Sequence, residues 1–91
     1  MDFEQPRVPP MFYTYVLESL SDPAHRYIGH TEDLWQRLEQ HNAGKSPHTA
    51  KHAPWRIKFY AAFETLDLAR DFERYLKSGS GHAFAHRHLG W

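Results

Sequence analysis

Two short aromatic and β-branched segments, separated by a proline-bearing turn, constrain the fold more than any other feature of this chain. Met11 to Glu18 carries Phe12, Tyr13, Thr14, Tyr15 and Val16, side chains that suit a pleated strand. Ser19 to Ala24 contains Ser-Asp-Pro and reads as a turn. His25 to Gly29 is a second, shorter strand placed to form a hairpin with the first. Thr31 is a good helix N-cap, with Glu32 and Asp33 suited to the positive end of the helix behind it. That helix is expected to run to Asn42 and stop at Gly44. A polar loop then leads to a third strand, Trp55 to Phe63, and a second helix, Leu66 to Lys77. Ser78-Gly79-Ser80-Gly81 breaks that helix, and a short third one ends the chain. The order β-β-α-β-α-α predicts an α+β fold, a small three-stranded antiparallel sheet flanked by helices. Met1 to Pro10 carries three prolines and reads as a mobile arm, leaving residues 11–91 as a single domain.

With 91 residues and 15% aromatic content, the core must be thin and built from large rings. Cysteine is absent, which removes disulfides, thiolate metal sites and thiol nucleophiles, and fits a cytoplasmic location. No apolar run is long enough to cross a membrane. Eleven basic residues balance eleven acidic ones, against the basic surplus usual in nucleic-acid binders. The charges are not evenly spread, however. Lys45, Lys51, Arg56 and Lys58 crowd the middle of the chain, with His48 and His52 among them and no acid until Glu64.

Helical periodicity singles out further residues. Leu34, Trp35 and Leu38 form the expected buried stripe of the first helix, with Arg37 and His41 together at its edge. As i, i+4 neighbours those two either touch one ligand or are a solvated arginine beside a half-buried histidine. On the second helix Leu66, Leu68, Ala69, Phe72, Tyr75 and Leu76 make one apolar arc, and Glu73 lies inside it. A carboxylate there is a metal ligand at the floor of a cleft, or an arc-edge acid that reaches solvent or a basic side chain. Tyr13 and Tyr15 share one face of their strand. Tyrosine hydroxyls, an arginine, a histidine and one acid together suit proton transfer, phosphate stabilisation and one hard metal ion. His82 and His86 stand at metal-binding helical spacing, without a third ligand near them in sequence.

Taken in register, these segments resemble the GIY-YIG nuclease family, in its small stand-alone bacterial form. Tyr13-Thr14-Tyr15 stands where that family has Gly-Ile-Tyr, and Tyr27-Ile28-Gly29 matches its second motif outright. Thr31 to Leu38, followed by His41-Asn42, is similar to the helix with the family's essential arginine. Phe72 to Lys77 is similar to the helix with its metal-binding glutamate. Three positions depart from the pattern: the first motif lacks its glycine and isoleucine, position 30 is histidine, and no asparagine follows Glu73.

The resemblance implies a metal-dependent endonuclease that hydrolyses DNA phosphodiesters, with one Mg²⁺ or Mn²⁺ on Glu73 and Arg37 on the scissile phosphate. Tyr15 is the implied general base, with Tyr27 orienting water or phosphate; His41 is a rival base that needs less tuning. Phosphate contacts are expected from His30, Lys45, Lys51, Arg56, Lys58, Ser78 and Arg87. A small domain with no DNA-targeting module is expected to have low intrinsic specificity or a protein partner that supplies it. The competing expectation is a nucleic-acid-binding module of the same fold with little or no turnover.

Overall fold

A computed structural model of the chain describes residues 10–91, so the arm expected over Met1 to Pro10 lies, but for its last residue, outside them. The described elements are β1 (Phe12–Ser19), β2 (Arg26–Thr31), α1 (Leu34–Asn42), β3 (Trp55–Phe63), α2 (Leu66–Leu76) and α3 (Gly79–His88), with one 3-10 turn at Ala50–His52. They form an α+β fold in the expected order. The sheet is antiparallel throughout, with strand order β2-β1-β3. β1 is central, so nearly all its backbone groups are paired, and β2 is an edge strand. The β1–β3 register slips between Val16 and Leu17, which pair with Phe59 and Ile57 and leave Lys58 as the extra residue.

Alternation along β1 sorts the interior into two halves. Tyr15 and Leu17 face α1 and form a cluster with Trp55, on which Leu34, Leu38, Tyr27 and Ile57 pack. Thr14 and Val16 face the other way and are fully buried. There the Thr14 hydroxyl donates to the Ala69 carbonyl of α2 at 2.6 Å, and Phe72 of α2 packs its ring on Phe59 and Phe63. No helix among the described residues is long and apolar enough to cross a membrane.

Several boundaries differ from the sequence reading. β2 continues past Gly29 to Thr31 and excludes His25. Thr31 is therefore a strand residue, and Asp33 caps α1 instead, accepting from the Gln36 amide at 3.0 Å. Thr31 supports that cap indirectly, its hydroxyl accepting from the Asp33 amide. The buried stripe of α1 is narrower than expected, since Trp35 is 74% exposed. The α2 arc is also wider than the surface available to cover it. Ala69 and Leu76 are buried, whereas Leu66, Leu68 and Tyr75 are exposed. The break after α2 is shorter than four residues. Ser78 caps α3, and Gly79-Ser80-Gly81 is that helix's first turn. Gly81 is needed there because a Cβ would collide with the Tyr75 carbonyl.

Candidate active site

Tyr15, on the central strand, and His41, in the last turn of α1, meet in the core. The Tyr15 hydroxyl is 2.9 Å from Nε2 of His41, and both residues are 2% exposed. The second ring nitrogen, Nδ1, lies 2.7 Å from the hydroxyl of Thr49. Thr49 in turn points its hydroxyl towards the Ser46 carbonyl at 3.4 Å. One assignment of protons satisfies the chain: Tyr15 donates to Nε2, Nδ1–H donates to Thr49, and Thr49 donates to Ser46. The loop carrying Thr49 is held from outside. The indole N–H of Trp55 donates to the Thr49 carbonyl at 2.9 Å. The Asn42 amide clamps the Trp55 backbone, accepting from its N–H at 2.6 Å and donating to its carbonyl at 3.1 Å.

Burial pushes the Tyr15 phenol well above the ordinary tyrosine range; Tyr27 beside it adds to the rise, Arg37 offsets part of it, and Glu73 adds a little. Burial, with Arg37 nearby, also pushes His41 below the usual histidine value. Both shifts favour the same state, a protonated phenol hydrogen-bonded to a neutral imidazole. Arg37 and His41 fit the second alternative for the pair, a solvated arginine beside an inward histidine, though the histidine is fully buried rather than half-buried. Arg37 is exposed, while His41 turns inward to Tyr15.

The second half of the site lies on the α2 side. His30 pairs across the strands with Thr14, so it shares that face of the sheet. Its Nδ1 lies 2.6 Å from Oε1 of Glu73. The other carboxylate oxygen accepts from Nζ of Lys77, one turn on, at 2.8 Å. Burial alone would raise the Glu73 carboxyl, but the bonds from Lys77 and His30 outweigh it and hold the group below the usual carboxylate value. Glu73 thus reaches basic side chains, as in the second alternative for it, and is also an ionised carboxylate in a cavity. That cavity, of about 300 Å³, is lined by His30, Arg70, Glu73, Arg74 and Lys77.

The two halves meet round the edge strand. A second hollow of about 600 Å³ is lined by His30, Asp33, Gln36, Arg37 and Leu66, among others. His30 borders both hollows, so Arg37 of α1 and Glu73 of α2 each share a hollow with it. Gly29 gives the tyrosines their room. A Cβ there would stand 2.7 Å from the Tyr15 hydroxyl and 2.9 Å from the Tyr27 ring. The Tyr27 ring lies 4.8 Å from that of His41, centroid to centroid.

The remaining sequence candidates are scattered. Lys45 borders a small hollow at the end of α1 with Gln36 and Glu39. Lys51 is exposed on the 3-10 turn. Arg56 and Lys58 both bind Glu18, at 2.7 and 3.0 Å, and so are not free cations. The Ser78 hydroxyl is spent inside the fold, accepting from the Gly81 amide and donating to the Tyr75 carbonyl. Arg87 is exposed on α3, near Tyr75 and Phe84. His86 bonds the Trp91 carbonyl at 2.7 Å. Thr49 was missed by the sequence reading, and the α2 charges, read from the sequence as lying opposite Glu73, include Arg70, Arg74 and Lys77, which line its cavity instead. Lys77 was findable, since Glu followed by Lys at i, i+4 is a favourable helix pair, but nothing in the sequence marks Thr49.

A match to the GIY-YIG catalytic domain family covers residues 11–84. The chain is 38% identical over 65 residues to a structure-specific endonuclease subunit SLX1 homolog from Giardia intestinalis, across 67% of this chain and 18% of that protein. It is 36% identical over 66 residues to a UPF0213 protein of Streptococcus pyogenes serotype M3, across 71% of this chain and 70% of that one. It is 34% identical over 89 residues to the structure-specific endonuclease subunit SLX1 of Candida dubliniensis, across 90% of this chain and 30% of that protein. The chain thus spans only a minor part of either endonuclease subunit and most of the streptococcal protein. Since the matched span takes in both tyrosine triplets, the Arg37 helix and Glu73, the chain belongs to the GIY-YIG family.

Proposed function

We propose that this protein is a divalent-metal-dependent DNA endonuclease. The observation that carries the reading is the pair of hollows that share His30, one lined by the exposed Arg37 and the other by the ionised Glu73, with the hydrogen-bonded Tyr15–His41 pair in the core close enough for Tyr15 to feel both charges. The endonuclease names of two relatives support it, and so does the word "subunit" in those names, which favours a protein partner that supplies specificity. Hydrolysis requires water to attack phosphorus as the bond to the 3′ oxygen breaks, leaving a 5′-phosphate and a 3′-hydroxyl. Arg37 is suited to hold the scissile phosphate and the charge that develops on it. Tyr15 is a poor free base, because its phenolate is disfavoured by burial. Coupled to His41 it is a better one: as Tyr15 takes the proton of the water, its own proton passes to Nε2. No free phenolate forms, and neutral His41 is ready to accept. Tyr27 flanks both groups and orients the water or the phosphate.

The metal has one protein ligand to offer. Among the described residues no three His, Cys, Asp or Glu side chains converge on one point. Glu73 alone fits Mg²⁺ or Mn²⁺, which take most of their ligands from water and substrate phosphate. Its carboxylate is ionised, faces an open cavity and keeps lone pairs beyond those used by His30 and Lys77. A bound ion supplies positive charge for the leaving oxygen.

The second reading, a binding module without turnover, is favoured by two observations. Tyr15 is almost wholly enclosed, and both Glu73 oxygens already have partners. Incubation with nicked, branched and linear DNA in Mn²⁺, with and without chelator, decides between them. Chelator-sensitive cleavage that Glu73→Gln abolishes supports the enzyme; tight binding with no cleavage supports the module.

A further inference from the structure

The surface best placed to grip substrate beside Glu73 is α2, a helix that the basic run in the sequence does not touch. Arg70, Arg74 and Lys77 stand at i, i+4 and i+7 on one helical face and line the Glu73 cavity. Their charges are unequally spent. Lys77 is bound to Glu73. Arg74 reaches Asp71 at 3.4 Å in a well-exposed pair, a contact of little strength. Arg70 makes no ion pair with any described residue. One carboxylate thus lies among three cations, and the surplus is complementary to an anion.

The sequence run offers less. Arg56 and Lys58 are held by Glu18, whose carboxyl their hydrogen bonds keep below the usual value. Glu18 also lies four residues along β1 from Thr14, about 13 Å at strand spacing, at the end of the sheet away from His30. Arg37 of α1 and Arg70 of α2 each line one of the two hollows that His30 borders.

We propose that Arg70, assisted by Arg74, is a second phosphate seat, which holds the nucleic-acid backbone phosphate next to the one held by Arg37. A strand laid across the edge of β2 meets both seats, with the bond to be cut between Arg37 and Glu73. The proposal rests on the nucleic-acid reading above and goes beyond it by assigning where the strand runs.

The test is binding of a short fluorescent single-stranded oligonucleotide in EDTA, followed across a range of salt, so that neither metal nor cleavage contributes. Arg70→Gln is expected to weaken binding about tenfold, the scale of one charge-assisted hydrogen bond, and to lower the salt slope by about one. Arg56→Gln is expected to leave both unchanged. Circular dichroism of each variant excludes unfolding as the cause, and Arg70→Lys, which keeps the charge, should recover most of the slope. A folded Arg70→Gln variant with wild-type affinity and slope overturns the seat, whatever the cleavage assay shows. Arg70-dependent binding by a protein that cuts nothing in Mn²⁺ overturns the endonuclease reading and leaves the seat standing.

Discussion

The hydroxyl of Tyr15 and Nε2 of His41 lie 2.9 Å apart in the core, one on the central strand and the other on a helix. If they act as one relay, their losses do not add. Tyr15→Phe and His41→Gln should each cost roughly 10²–10⁴ in cleavage rate, and the double variant no more than the worse single one. Single-turnover rates on one nicked duplex check this. Multiplying losses would mean two independent roles, and an active Tyr15→Phe would leave histidine as the sole base.

The same histidine sets a pH dependence of stability. Its folded value lies below the usual 6.5, so below 6.5 the unfolded chain binds more protons at this site than the folded one. The stability it contributes is present above 6.5 and is lost as pH falls from there through the depressed folded value. Urea midpoints measured from pH 7.5 to 5 should show the decline. His41→Gln should flatten it, at the cost of lower stability throughout.

Glu73→Gln should abolish Mn²⁺ binding, read by electron paramagnetic resonance, together with cleavage. The fold should survive, with stability changed by no more than about 1 kcal/mol, because only partly exposed pairs to Lys77 and His30 are weakened. Outright unfolding of this variant would show that the carboxylate is structural.

Gly29→Ala places a methyl group against the Tyr15 hydroxyl and the Tyr27 ring. A cost of about 1–3 kcal/mol is expected, as for other overpacked sites, with loss of activity. Combining it with Tyr15→Phe should restore part of the stability, since the closest clash is with the hydroxyl oxygen. A thermal-melt cycle over the four proteins measures the coupling. An unaltered Gly29→Ala melting temperature would refute the close packing.

Glu18 offers a test by gain. Glu18→Gln releases Arg56 and Lys58, so general DNA affinity should rise, with a steeper salt slope. Lys45 and Lys51 have no such restraint, and replacing both by alanine should flatten the slope for unrelated sequences alike.

The strands and helices were readable because period and composition agree in them. Trp55 to Phe63 is a strand in both accounts, and Gly44, with φ of 75°, stops α1 where a left-handed residue should. The errors fall where local rules compete. Thr31 and Asp33 are both good caps, and backbone pairing to Tyr13 drew Thr31 into β2. Trp35 was put in the buried stripe on helical periodicity, but α1 has only a narrow face to bury, and Leu34 and Leu38 occupy it. Among site residues, the family motifs marked Tyr15, Arg37, His41 and Glu73. Their partners Thr49 and His30 come from distant loops and strands, and pairing across 43 residues, as between His30 and Glu73, leaves no periodic trace. The basic run shows a related limit: sequence lists charges, but only the fold reveals that Glu18 pairs with two of them, Arg56 and Lys58.

Thr14 and Tyr15 are neighbours in the chain, yet one anchors α2 through the Ala69 carbonyl and the other engages α1 through His41. The two halves of the site are therefore registered to each other by a single peptide unit. That gives β1 an unusual intolerance to length change. Insertion or deletion of one residue after Ser19 can be absorbed by the turn. The same event between Tyr15 and Leu17, with the rest of the strand held in register, exchanges the faces, sending a phenol towards Ala69 and a small hydroxyl towards His41. The hairpin turn has room for a change of length, while the spacing within β1 is held fixed by geometry, even though the first motif lacks its glycine and isoleucine.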